Sequence, residues 1–247
     1  MPFEDPKGAG GRGTVVAHVT DPRDHASEHE RCTLRLFARR LAAIGGWEDG
    51  GFYEPGRAYP GALYFVPAST LTAAEAAALG IRDVNGLFGG VVPHAFVGTK
   101  VISHPLVSED AAAPEGWNPD FATRVGDAVL DGFSVFSRED AIRAGERLLA
   151  AGRVRAKAGQ ARGGGGQGVL DGAAGLLGVG GQVDPRDLRA HGLVLEEDLD
   201  GTRTFSVGQV RVADLTASYF GVQKLTPGHD GQPVFGGSDL NVARGGV

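Results

Sequence analysis

The sequence predicts an α/β protein, and three observations carry that reading. Strand-like and helix-like patterns alternate over the first eighty residues, the pattern of parallel strands joined by crossover helices. Five glycines crowd positions 163–168, shortly after a short apolar strand that carries Lys157. Two alternating runs near the end, 202–212 and 215–223, predict an antiparallel hairpin across Ala213-Asp214, so both kinds of strand pairing are expected.

The elements follow in order. Residues 1–13, polar and glycine-rich, read as a disordered leader unlike a signal peptide. Residues 14–19 (TVVAHV) form a buried strand. After Asp21-Pro22, residues 27–44 form a helix, because Leu34, Phe37, Ala38, Leu41 and Ala42 recur at helical spacing and Gly45-Gly46 ends it. Residues 61–67 (GALYFVP) give a second strand, and Thr70 or Thr72 caps an alanine-rich helix stopped by Gly80. Gly89-Gly90 and Val91-Val92-Pro93 mark a crossing between units. Asn118-Pro119 opens another helix, with proline in the first position. Ser137 with Asp140 resembles a capping box for a helix to Ala151, closed by Gly152. The Lys157 strand, the glycine loop, a weakly helical 183–189 and an acidic-ended strand at 192–199 (GLVLEEDL) complete the middle.

Composition narrows the function classes. A chain of 247 residues holds one large or two modest domains. The net charge of −6 argues against general nucleic-acid or anionic-membrane binding. Cys32 is the single cysteine, which excludes an internal disulfide and points to a reducing cytoplasm. No apolar run is long enough to span a bilayer. With 41 glycines, many tight or pliable turns are expected.

The stretch from Val154 to Gly168, VRAKAGQARGGGGQG, suits a phosphate. Glycines let several backbone N–H groups converge on an anion, and lysine adds a mobile point charge. Gly163, Gly165 and Gly168 satisfy G-x-G-x-x-G, a pattern nearly unavoidable in a glycine run. A dinucleotide loop should open onto a sturdy helix, whereas 169–181 holds five more glycines. The Walker A pattern is absent. A pliable surface loop without a ligand is the competing reading.

Gly98-Thr99-Lys100 is a second anion-friendly setting, with Lys100 at an expected helix start. At Leu193-Val194-Leu195-Glu196-Glu197-Asp198-Leu199, three apolar residues run straight into carboxylates. That is either a solvated acidic edge or an adenine pocket in which a carboxylate accepts from the exocyclic amine. His25-Ala26-Ser27-Glu28-His29 matches H-x-x-E-H. It follows Pro22 closely and lacks a clear third ligand, so a chance match is preferred over zinc; with Glu30 it could line a cleft. There is no G-x-S-x-G elbow.

Taken in order, these features resemble the ATP-grasp superfamily. More closely, RLFARRLA, YPGALYFVP, LFGGVVPHAFVGTK, TFSVGQVRV and LTASYFGVQ look like an uncharacterised bacterial ATP-grasp-like family, over most of the chain from about Val15 onward. The resemblance implies an N-terminal parallel α/β pre-domain at 14–97 and an α+β nucleotide-binding domain at 98–247, with a glycine-rich lid subdomain at about 118–198. It implies that Lys100 and Lys157 hold ATP phosphates and that Gly163, Gly164, Gly165, Gly166 and Gly168 close over them. Glu196 would meet the adenine amine, with the backbone of Glu197 and Leu199 at the ring edge. The implied reaction turns a small-molecule carboxylate into an acyl phosphate for attack by an amine or thiol, with Mg2+ beside ATP and no nucleic-acid or membrane partner.

The sequence departs from that family at its end. The magnesium-binding E-x-N pair is approximated only by Asp239-Leu240-Asn241, 42 residues after Glu197, with Arg244 following as a further candidate catalytic residue. Asp239 and Asn241 are therefore the metal candidates, and the domain is expected to be C-terminally incomplete. The rivals are an ATP binder without turnover and a Rossmann-type oxidoreductase that holds NAD at 163–168 and has a firm helix after Gly168.

Overall fold

The computed structural model describes residues 13–20, 28–160, 166–170, 172, 175, 183–212, 215–228 and 233–246. It is a mixed α/β structure with parallel and antiparallel sheets, divided into two compact units. The first comprises Met1–Pro93, Gln209–Ala217 and Arg244–Val247; the second comprises His94–Gly208 and Ser218–Ala243.

In the first unit, β1 (Thr14–His18), α1 (Glu28–Gly45), β2 (Glu48–Phe52) and β3 (Leu63–Pro67) build a parallel sheet in the order β2-β1-β3. The run TVVAH has apolar residues on both faces because both are covered, as parallel strands require. Val15 and Ala17 meet the Ala38, Leu41 and Ala42 stripe of α1, while Val16 packs with Phe65, Leu71 and Ala76. The expected strand–helix–strand–helix order gains β2, whose sequence EDGGF has no apolar alternation. Its pairing with β1 holds it in the sheet.

The short strands β4 (Leu71–Thr72) and β5 (Val91–Val92) pair in parallel, and α2 (Ala73–Ala78) lies between them in sequence. Of the two threonines considered, Thr72 is the cap. Its Oγ1 accepts from the Glu75 N–H at 3.3 Å, and Glu75 Oε2 accepts from the Thr72 N–H at 2.7 Å.

In the second unit, two 3-10 turns, Ala95–Gly98 and Lys100–Ser103, precede α3 (Pro119–Val125) and β6 (Gly132–Val135). Then come α4 (Arg138–Leu149), β7 (Val154–Ala158), β8 (Gln167–Leu170), α5 (Pro185–His191) and β9 (Leu193–Glu197). The strands form one sheet, β6-β9-β7-β8, in which every neighbouring pair is antiparallel. Successive side chains alternate between faces. Val135, Val154, Ala156, Leu170, Leu193 and Leu195 therefore share one face, packed with Ala141 and Ala144 of α4 and Leu188 of α5. Ser134, Arg155, Lys157, Val194 and Glu196 belong to the other.

Directly after the glycine loop the chain runs on as strand, where the Rossmann reading requires a helix start. Gly168 lies within β8 and pairs with Ala156 of β7. An antiparallel hairpin stands where a strand-to-helix turn was needed, which removes the structural basis for NAD at this loop.

Three further strands, β10 (Phe205–Val212), β11 (Leu215–Pro227) and β12 (Pro233–Arg244), follow in chain order within one sheet. Thr204 accepts from the Gln223 N–H at 2.9 Å, and Gly208 abuts the Tyr219 ring. Residue numbers rise along one strand as they fall along the other, so β10 and β11 run antiparallel. Among the described residues no helix is long and apolar enough to cross a membrane.

Candidate functional site

The polar face of the β6-β9-β7-β8 sheet gathers charged groups from three parts of the chain. Register does the first part of the work. Arg155 stands opposite Glu196 and Lys157 opposite Val194, so Lys157 is diagonal to Glu196 on the same face. The Lys157 ammonium pairs with Glu196 Oε1. Glu196 is only 6% exposed, and a carboxylate so buried is costly without a partner.

Gly132 of β6 lies across from Glu196 on the other side. A Cβ there would come within 2.5 Å of the Leu195 carbonyl and 2.8 Å of the Glu196 Cβ. Only glycine lets β6 approach β9 this closely.

The turn Lys100–Ser103 supplies the second group. Lys100 Nζ donates to the Ala158 carbonyl at the end of β7, at 2.8 Å. Burial lowers the Lys100 pKa from its usual value; the nearby Lys157 charge adds to this and Glu196 opposes it. Thr99 Oγ1 accepts from the Val101 N–H and opens this turn. Lys100 thus lies in a four-residue 3-10 turn where the sequence predicted a helix start.

His104, directly after that turn, is the third contributor and was not anticipated. It is 4% exposed, with Nε2 at 3.5 Å from Glu196 Oε2 and Nδ1 at 3.1 Å from Ser103 Oγ. Burial lowers its pKa; Glu196 and a hydrogen bond with the Leu130 backbone push the other way, and Lys157 reinforces the lowering. No spacing rule links SHP at 103–105 to an acidic strand end so far downstream. Only the fold brings them together.

Beyond Glu196 the strand end is held firmly. Arg155 donates through Nε to Asp198 Oδ1 at 2.8 Å, and Arg153 Nη2 lies 3.0 Å from Asp198 Oδ2. The Glu197 N–H donates to the Asp131 carbonyl and the Asp198 N–H to the Arg153 carbonyl, each at 2.9 Å. The Glu197 amide proton is therefore already engaged, whereas Leu199 is 45% exposed.

Other predicted positions lie apart from this cluster. Gly163, Gly164 and Gly165 fall outside the described residues, as does His25. Gly166 and Gly168 line a cavity of about 370 Å³ with Ala156, Leu193, Asp187 and His191, on the side of the sheet that carries α5. Asp239 and Asn241 lie on β12, where the exposed Asp239 carboxylate is 2.7 Å from Lys224 Nζ. Arg244 ends that strand and belongs to the first unit. Glu28, His29 and Glu30 are exposed in the first turn of α1. Among the described residues no three His, Cys, Asp or Glu side chains gather as a metal-holding group.

What the polar face can do chemically follows from its charges. Two ammonium groups, one half-buried, present positive charge beside a buried carboxylate that can also accept from a neutral N–H. Such a site favours a ligand with a polyanionic end and a hydrogen-bond-donating end.

Among solved structures, the chain is similar to D-alanyl-alanine synthetase A from Vibrio cholerae O1 biovar eltor, with 10% identity and a TM-score of 0.49, over 89% of this chain and 69% of that one. No curated protein matches the sequence. Residues 15–247 match the family described as protein of unknown function (DUF3182), and the chain belongs to that family.

Proposed function

We propose that this protein binds ATP on the polar face of the β6-β9-β7-β8 sheet and uses it to activate a carboxylate. The observation that carries the reading is the convergence of Lys157, Lys100 and Glu196 on one face, from strands and a turn far apart in sequence. The resemblance of the sequence to ATP-grasp proteins assigns these same three residues to the nucleotide. Lys157 and Lys100 would hold the phosphates as point charges, and Glu196 would accept from the adenine amine.

The reaction proposed is transfer of the terminal phosphoryl group to a small-molecule carboxylate, releasing ADP. An amine or thiol then attacks the acyl phosphate, expelling inorganic phosphate. Most of the catalysis in such chemistry is positioning and charge neutralisation. That neutralisation is assigned here to the two lysines. Asp239 and Asn241 would offer a magnesium ion one exposed carboxylate, 2.7 Å from the Lys224 ammonium, and among the described residues no further acidic side chains gather there.

That same pairing favours a second reading, an ATP binder without turnover. Calorimetric titration with ATP, with and without magnesium, tests the binding. Phosphate release in the presence of a panel of carboxylates with an amine or thiol separates the two readings. A folded protein with no heat of ATP binding would end both.

A further inference from the structure

We propose that His104 is a positioning residue, which takes over the Glu196 carboxylate when Lys157 turns to the nucleotide phosphates and gains a proton in doing so. The inference rests on the nucleotide reading above.

A phosphate competes with Glu196 for the Lys157 ammonium, and turning toward it loosens the ion pair. The lysine is the mobile partner, since its side chain is 24% exposed and that of Glu196 only 8%. Once Lys157 leaves, Glu196 is a buried carboxylate without a countercharge, an arrangement proteins seldom tolerate. The other polar groups facing it are engaged. Lys100 donates to the Ala158 carbonyl, Arg155 holds Asp198, and Ser134 Oγ donates to the Val101 carbonyl at 2.5 Å. His104 remains, with its Nε2 buried and without a hydrogen bond among the described residues.

Ser103 Oγ donates to the Lys100 carbonyl at 2.8 Å and so accepts from His104 Nδ1 at 3.1 Å, the tautomer on which the proposal rests. In that tautomer Nε2 presents a lone pair to Glu196 Oε2 at 3.5 Å, and the Leu130 backbone is a second acceptor beside the ring. Two acceptors face each other, held neutral overall by the adjacent Lys157 ammonium. Moving that ammonium to a phosphate removes one influence that lowers the histidine pKa and leaves Glu196, which raises it. Protonated Nε2 then donates to the carboxylate, and the pair is satisfied again.

The test is proton counting during ATP binding. Titrating ATP at pH 7.5 in Pipes and in Tris, which differ in ionisation heat, gives the number of protons taken up. The same titration on His104→Gln cancels the protons of the nucleotide itself. Wild type should take up roughly 0.5–1 proton more per ATP than the variant. The glutamine amide can still donate to Glu196, so affinity should fall by no more than about fivefold, the worth of one neutral hydrogen bond. Should that variant fail to fold, Glu196→Gln serves instead, because an uncharged partner needs no countercharge and the uptake should vanish. ATP binding with equal uptake in wild type and variant overturns the role of His104 alone. No ATP binding by the folded wild type overturns the nucleotide reading and this inference together.

Discussion

Replacing Lys157 with methionine should destabilise the second unit by more than the loss of a surface ion pair would. The substitution leaves the lysine stem volume nearly unchanged, so the loss is electrostatic. Removing one partner of a buried ion pair costs about 3–5 kcal/mol, because the other charge is stranded. Lys157 retains solvent access over about a quarter of its side chain, and solvent screens part of the pair. The expected loss is therefore about 2–3 kcal/mol at about pH 9, where His104 stays neutral and cannot take over the carboxylate, a large share of a typical total stability of about 5–15 kcal/mol. The double variant Lys157→Met, Glu196→Gln should recover most of it, giving a coupling on the order of 2 kcal/mol. Urea unfolding supplies the free energies, and hydrogen exchange of the amides at 193–197 localises the effect to β9. A loss below about 1 kcal/mol, or a double variant no better than the sum of the singles, would refute a pairing that supports the buried carboxylate.

Lys157→Met should also weaken ATP binding roughly 10–100-fold, the range of one hydrogen bond to a charged group, while adenosine binding changes little; equal losses for both ligands would remove the lysine from the phosphates. Glu196→Ala should relax the preference for ATP over GTP, and an unchanged ratio in competition binding would take Glu196 out of the adenine position. Gly132→Ala should cost about 1–3 kcal/mol, since a Cβ would meet the Leu195 carbonyl; a midpoint of urea unfolding equal to wild type would mean that β6 yields freely. Asp140 supplies the pH prediction. Burial would raise its pKa, but hydrogen bonds from Ser137, Arg143 and the Ala112 N–H outweigh it and hold it low. A depressed folded-state pKa stabilises above the ordinary aspartate value of 3.8 and is lost as pH falls through the folded value. Stability measured from pH 6 to pH 3 should thus fall less steeply in Asp140→Asn than in wild type.

The fold was legible where local chemistry determines local structure. The apolar spacing of α1, the Thr72 and Ser137 caps and the Asn118-Pro119 helix start all concern interactions within a few residues. Strands held by their neighbours were not legible. EDGGF becomes β2 only because β1 offers it a parallel edge, and GFSV becomes β6 only because β9 offers it an antiparallel one. The glycines at 166 and 168 invite a loop reading, yet Gln167–Leu170 is a strand because β7 supplies the ladder. The candidate site divides in the same way. Lys100, Lys157 and Glu196 could be singled out by residue type beside glycine or at a strand end. His104 could not, because its relation to Glu196 exists only across the sheet.

The polar face draws its order from the two-residue period of β7 and β9. Arg155 and Lys157 on one strand, with Glu196 and Asp198 at the end of the other, give two diagonal pairs that differ in access to solvent and in partners. Asp198 is gripped by Arg155 and Arg153 together, and the N–H groups at 197 and 198 are tied to neighbouring carbonyls. Glu196 has one lysine and a histidine that cannot donate to it while neutral. The first pair fixes the strand end, and the second leaves a lysine that can exchange one anion for another. A ligand phosphate competing for Lys157 would therefore meet an ion pair that can open, built on backbone that cannot readily shift. Pairing on β9 keeps the buried carboxylate in place while its partner moves, so the site can change its charge contacts without repacking the sheet.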